Sequence, residues 1–212
     1  MGVLLQAEEE YEETPGGLQA PFVSRHEDSY CMFYGDWMNI CIAQSADGKS
    51  FYRRCNALGG SQILPLDSAT QARDPMLFSD KNMHLLYFTE VREGRGAIVV
   101  SISTDLCKWS VPTVVSRGGS GGDGPNDAEC AHVCQPQLGG DYYLFRWHSA
   151  GITSVYCSSD PLDFGVDHDR KKIAELPLEV ARVVASADQL YISSLHSDLT
   201  GIKLARMRWR MR

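Results

Sequence analysis

Two carboxylates stand where acid–base chemistry would need them. Asp74 lies in Ala72-Arg73-Asp74-Pro75, and Glu129 lies in Ala128-Glu129-Cys130-Ala131-His132. Each comes directly before a short apolar run of the kind that forms a strand. Carboxyl groups that share one opening can divide the work of breaking a glycosidic bond. One protonates the leaving oxygen while another attacks or activates water. The plainer reading of either residue alone is a turn cap. A second group, Cys130, His132 and Cys134, alternates along one run and so shares a face of a strand. Zinc sites usually draw ligands from two elements, and no fourth ligand is evident here, so core packing is expected and no metal.

The elements that would position the two carboxylates form a repeat. Apolar runs of four to eight residues, rich in Val, Ile, Tyr and Phe, are separated by Gly, Pro, Asp and Ser clusters, which predicts an all-β chain. Residues 168–185 are the most helix-like, but Val180, Val183 and Val184 favour a strand at their end. Opening runs at Pro21–Val23, Pro75–Phe78, Ala131–Val133 and Val183–Ala185 are each followed by an aromatic run, at Tyr30–Tyr34, His84–Phe88, Tyr142–Phe145 and Leu190–Ile192. Third runs follow at Ile40–Ala43, Ile98–Ser101, Thr153–Tyr156 and Ile202–Ala205. Three of these continue into Ser-x-Asp with an aromatic four residues on: Ser45/Asp47/Phe51, Ser103/Asp105/Trp109 and Ser158/Asp160/Phe164. Four antiparallel strands per unit, repeated, predict a β-propeller with about four blades, near 19–67, 70–117, 127–166 and 167–210. Residues 1–18 read as a polar lead-in to a propeller domain over 19–212. The Gly-rich stretch 117–127 lacks a P-loop lysine and a following helix, so it reads as a flexible wall beside a site rather than a phosphate cradle.

Bulk properties narrow the function classes. The 212 residues, 43% hydrophobic and 22% charged, suit one globular domain with its own core. A net charge of −7 with scattered Lys and Arg argues against a nucleic-acid partner, and the Arg206–Arg212 tail reads as a solvated chain end. No apolar run is long enough for a membrane span. Seven Cys at irregular spacing with no CxxC pair read as free thiols. No signal peptide is visible at the acidic start, which implies a cytoplasmic location if Met1 is the native start.

As a set, these motifs resemble the five-bladed β-propeller glycosidases of glycoside hydrolase families 43 and 32. Ala72-Arg-Asp-Pro75 resembles the Arg-Asp-Pro motif of family 32, and Glu129-Cys130 its Glu-Cys motif. Ala20-Pro-Phe-Val23 with Tyr30-Cys-Met-Phe-Tyr34 resembles a blade of family 43. The Ser-x-Asp turns, as in Asp105-Leu-Cys-Lys-Trp109, are shared by both, and the likeness runs from about 19 to 210. It implies Glu129 as general acid and Asp74 as the carboxylate that holds substrate hydroxyls and tunes the acid. It also implies Arg73 as a fixed donor fork to Asp74 or a sugar hydroxyl. Tyr34, Asp36 and Trp37 are then candidates for a sugar-facing wall, although a tryptophan such as Trp37 is more often core or rim. Arg146, Trp147 and His148 hold the matching place one blade past Glu129.

The chain departs from the pattern where a first blade would supply the third carboxylate. No Asn-Asp-Pro-Asn-Gly motif occurs, no Asp-Pro precedes Tyr30, Asp36 is the nearest spare carboxylate, and Ala131 stands near a usual proline. The expected function is hydrolysis of O-glycosidic bonds in a glycan or fructoside, with a carbohydrate partner and no cofactor. The rival readings are a non-catalytic carbohydrate-binding propeller, or a truncated remnant, and a protein-interaction propeller. A missing blade would leave two open edges, where self-association is expected.

Overall fold

A computed structural model describes residues 4–11, 13–64, 66–80, 83–186 and 189–209. Residues 1–3 and 12 of the lead-in and 210–212 of the basic tail lie outside them. Among the described residues the only helical pieces are two three-residue turns, Glu9–Tyr11 and Gly119–Gly121.

Among the described residues, sixteen strands form four sheets. The first holds β1 (Gln19–His26), β2 (Ser29–Gly35), β3 (Ile40–Ser45) and β4 (Tyr52–Arg53), in chain order. The second is built on β5 (Gln71–Asp80), β6 (Met83–Arg92), β7 (Arg95–Ser103) and β8 (Thr113–Arg117). The third holds β9 (Glu129–Cys134), β10 (Tyr142–His148), β11 (Ile152–Ser158) and β13 (Lys172–Leu176), and the fourth β14 (Glu179–Ser186), β15 (Gln189–Leu195) and β16 (Ile202–Met207).

The third unit therefore runs past residue 166. The short strand β12 (Gly165–Val166) pairs in parallel with Ser116 and Arg117 of β8, in the neighbouring sheet. The Phe164 N–H donating to the Val115 carbonyl at 2.8 Å leads the chain there. It then returns as β13, where Ile173 and Glu175 are exposed and their neighbours half-buried, the alternation of an edge strand and not of a helix.

The Ser-x-Asp turns have a common cause. In each, the serine hydroxyl accepts the N–H of the aspartate, at 3.2, 3.2 and 3.1 Å. The aspartate carboxylate in turn accepts N–H groups two and, in the first two copies, three residues on. Those backbone donors hold the Asp47 carboxyl down at about 2. Phe51 and Phe164 then bury as the chain comes back.

The chain divides into two compact units, Met1–Gly94 with Val99–Thr113, and Arg95–Ile98 with Val114–Arg212. In the first, Met32, Tyr34, Cys41, Ala43 and Phe51 form a core against which Leu5 and Leu18 of the lead-in pack. The lead-in is thus not merely polar. Glu13 is 3% exposed and accepts hydrogen bonds from the Tyr34 hydroxyl at 2.6 Å, the Ser61 hydroxyl at 2.9 Å and Arg53 at 2.7 and 2.8 Å. In the second unit Phe145, Val155 and Ala181 are buried, with Tyr143, Val183, Ile192, Met207 and Trp209 packed around them.

Candidate functional site

One irregularity recurs in all four sheets and sets the geometry of the site. Along each first strand, three residue steps oppose two on the second. Gln19 pairs with Gly35 and Phe22 with Phe33; Arg73 with Thr89 and Met76 with Tyr87. Likewise Glu129 pairs with Trp147 and His132 with Phe145, and Glu179 with Leu195 and Arg182 with Ser193. The extra residue is a β-bulge, which re-aims the side chains around it. At the same point of each bulge a non-glycine residue has a left-handed backbone: Ala20 (φ 47°), Asp74 (φ 57°), Cys130 (φ 54°) and Val180 (φ 51°). Such a conformation costs roughly 1 kcal/mol, so its fourfold recurrence marks a built feature of the repeat.

The bulge corrects the phase of the two carboxylates. Asp74 occupies the left-handed position, in register with Cys130. Glu129 lies one residue earlier, in register with Arg73, Gln19 and Glu179. The two are therefore not at equivalent places, and their side chains leave the bulge differently.

In the first unit, Asp74 is 7% exposed, and its Oδ2 accepts the Thr89 hydroxyl at 3.1 Å and lies 3.9 Å from Arg73 Nε. The Arg73 guanidinium also sits over the Trp37 ring, 5.5 Å from its centroid. Trp37 is 46% exposed and bridges to Ala72, whose N–H donates to the Trp37 carbonyl at 3.1 Å. This docking requires Gly35, because a Cβ there would stand 3.0 Å from the Arg73 Cα. Trp37, Arg73, Asp74 and Thr89 thus form one cluster with an exposed aromatic face. Half-buried Glu90, next along β6 and paired with Ala72, was not singled out by sequence; burial pushes its carboxyl up, against the pull of Arg92 at 3.4 Å.

Tyr34 and Asp36 are not in that cluster. The Tyr34 hydroxyl is given to Glu13, and burial with that bond pushes its proton release far up. Asp36 is fully buried and accepts the N–H groups of Thr14 (3.2 Å), Met38 (3.0 Å) and Asn39 (2.5 Å), which makes it the clasp of the turn that carries Trp37.

In the second unit Glu129 is half-buried, with Trp147 as its partner across the strand pair. The Trp147 Nε1–H donates to Glu179 at 2.7 Å. His148 is 4% exposed, with Nε2 3.3 Å from the Ser154 hydroxyl, and burial followed by the Arg146 charge pushes its pKa down. Arg146 is fully buried, donating to the Ser116 hydroxyl at 3.0 Å and the Gly118 carbonyl at 2.8 Å, with its guanidinium 4.9 Å from the Tyr156 ring centroid. It pins the Gly-rich stretch in place. Ser120 N–H donates to Asp169 at 2.9 Å and Gly124 N–H to Asp127 at 2.9 Å, and the Cβ-free faces of Gly119 and Gly121 lie against Asp169 and Arg146. The expected flexible wall is thus a packed loop. The strand Cys130-Ala131-His132-Val133-Cys134 brings no metal set together among the described residues. Burial, with the Arg182 charge, holds His132 down at about 4.

The arrangement has counterparts of known structure. An α-L-arabinofuranosidase from Clostridium thermocellum superposes with a TM-score of 0.61 at 15% identity, over 91% of this chain and 69% of its own. A Bacillus subtilis arabinanase matches with a TM-score of 0.63 at 13% identity, over 91% and 73%. The chain has the propeller fold of the family 43 glycosidases. An exo-β-1,3-galactanase from Phanerochaete chrysosporium, solved with galactose, matches at 9% identity with a TM-score of 0.63, over 84% of this chain. The chain spans 43% of that galactanase. No protein-family profile matches the chain, and no curated protein matches it by sequence. Each of the four sheets corresponds to one blade of that fold.

Proposed function

We propose that this propeller is a glycoside hydrolase-like protein acting on O-glycosidic bonds of a glycan or fructoside. Glu129 is the general acid, and Asp74 is the carboxylate that holds substrate hydroxyls and tunes it. The observation that carries this reading is the bulge. Asp74 and Glu129 both sit at the bulged starts of first strands, in successive sheets of a glycosidase fold. Arg73, 3.9 Å from Asp74 Oδ2, adds a rigid donor fork beside the carboxylate for sugar hydroxyls, and Trp37 gives the same cluster an apolar face for a sugar ring. Glu129 delivers its proton to the leaving oxygen, as a general acid must. Hydrolysis of nitrophenyl arabinofuranoside, xylopyranoside and fructan substrates should fall at least about 100-fold in Glu129→Gln. Turnover that survives this substitution intact defeats the assignment.

A second reading is a carbohydrate-binding propeller without turnover. It is favoured by Asp36, the nearest spare carboxylate, being fully buried and saturated by N–H donors, so that it serves as neither base nor nucleophile. Binding of arabino-, xylo- or galacto-oligosaccharides with no release of reducing ends would establish it.

A further inference from the structure

The bulge register puts a second glutamate at the Glu129 position. Glu179 opens β14 as Glu129 opens β9, each one residue before the left-handed bulge residue. One residue relates the two, by strand register to Glu129 and by a hydrogen bond to Glu179. Trp147 is the cross-strand partner of Glu129, and its indole N–H donates to Glu179 Oε2 at 2.7 Å. Cross-strand partners leave the sheet on one face and constrain each other's rotamers. A charge-assisted hydrogen bond from a half-buried indole holds the ring more firmly than packing alone.

The chain around Trp147 is anchored from both sides. At the tip of the β10–β11 hairpin the Gly151 N–H donates to the His148 carbonyl at 3.0 Å. The Ser149 hydroxyl donates to Asp127 at 2.5 Å on one side, and Glu179 holds Trp147 on the other. Glu179 is tied down in turn. The Thr153 hydroxyl donates to the Leu178 carbonyl at 2.7 Å and accepts the Ala181 N–H at 3.2 Å, which clamps the residues flanking Glu179 to β11.

We propose that Glu179 is a positioning residue of the site: its carboxylate anchors the Trp147 indole opposite Glu129 and thereby fixes the environment in which Glu129 holds its proton. This rests on the reading of Glu129 as the working acid, but its test does not need turnover. Heteronuclear NMR follows two signals in the whole chain, the Trp147 indole N–H and the Glu129 side-chain carboxyl, across an acid–base titration. In Glu179→Leu the indole resonance should move upfield and the Glu129 midpoint should shift by at least half a pH unit. Glu179→Gln, whose amide oxygen still accepts the indole proton, should restore both to near the parent values.

An indole signal unmoved in Glu179→Leu means that the bond is not there in solution, and overturns the proposal. Equal Glu129 shifts in the Leu and Gln variants would trace the effect to lost charge rather than to the indole, and would overturn it as well. If the NMR signals behave as expected but no glycoside is cleaved, the positioning role stands and the catalytic reading of Glu129 falls. Where cleavage is measurable, Glu179→Leu should lower kcat/KM about tenfold and change the pH profile, with Glu179→Gln within about threefold of the parent.

Discussion

Glu13 gives the sharpest stability test, because a lead-in residue with no place in the repeat is the most heavily bonded carboxylate of the first unit. Its side chain is fully buried and the Arg53 side chain is 7% exposed, with 2.7 Å between them. Removing one partner of a buried ion pair costs about 3–5 kcal/mol, since the other charge stays behind without water. Glu13→Ala also strands the Tyr34 and Ser61 hydroxyls, so a loss of about 4 kcal/mol is expected, a large share of a typical 5–15 kcal/mol total. Glu8, at 3.3 Å from Arg53 but 48% exposed, compensates little. Replacing both members, Glu13→Leu with Arg53→Met, should recover at least about half of the loss, because no charge is then left buried.

The assay is urea unfolding with an unchanged m-value. Acid sharpens it. Burial alone would raise the Glu13 carboxyl, but the bonds from Arg53, Tyr34 and Ser61 outweigh it and hold the group low. A carboxyl lowered on folding contributes its full stability above the unfolded value of about 4.3, and loses it as pH falls through the folded value. The gap between parent and Glu13→Ala should therefore narrow below about pH 4. A penalty under about 1 kcal/mol at neutral pH, or a gap that stays constant into acid, would refute the reasoning.

Two further outcomes follow from the same kind of argument. His132, held at about 4 by burial, refuses a proton that the unfolded chain binds near 6.5, so stability should fall between these values by roughly 3 kcal/mol. His132→Leu should flatten that slope in urea unfolding measured at successive pH values. Gly35→Ala puts a methyl group 3.0 Å from the Arg73 Cα, a backbone atom that cannot swing away. It should cost about 1–3 kcal/mol in the same unfolding assay and reduce any hydrolysis, because the Trp37–Arg73 contact is displaced.

Much of the fold was legible because each sheet repeats a local chemistry. A Ser-x-Asp turn satisfies its own backbone, so it reads the same in sequence and in space, and the alternating apolar runs leave only strands as an outcome. The boundary near residue 166 was not legible. Val166 and Ile173 are equally plausible outer strands in a line of letters, and only the pairing of Gly165 and Val166 with Ser116 and Arg117, led in by the Phe164–Val115 hydrogen bond, shows that the chain visits the neighbouring sheet first. For the candidate site, Asp74 beside Arg73 was readable from adjacency. The loss of Tyr34 and Asp36 to Glu13 and to a turn was not, because their partners lie 21 residues away or are backbone N–H groups with no sequence signal.

By itself, then, the amino-acid order determined an all-β repeat and the identity of the two carboxylates that open its second and third units. That followed because turn chemistry and strand periodicity act over a few residues. Tertiary structure alone decided the one-residue offset between Asp74 and Glu129, the appearance of Glu179 at the Glu129 position, and the packing of the Gly-rich loop on Arg146. A bulge is defined by how two strands pair, and a buried guanidinium by what closes over it, and neither is written in any single segment of the chain.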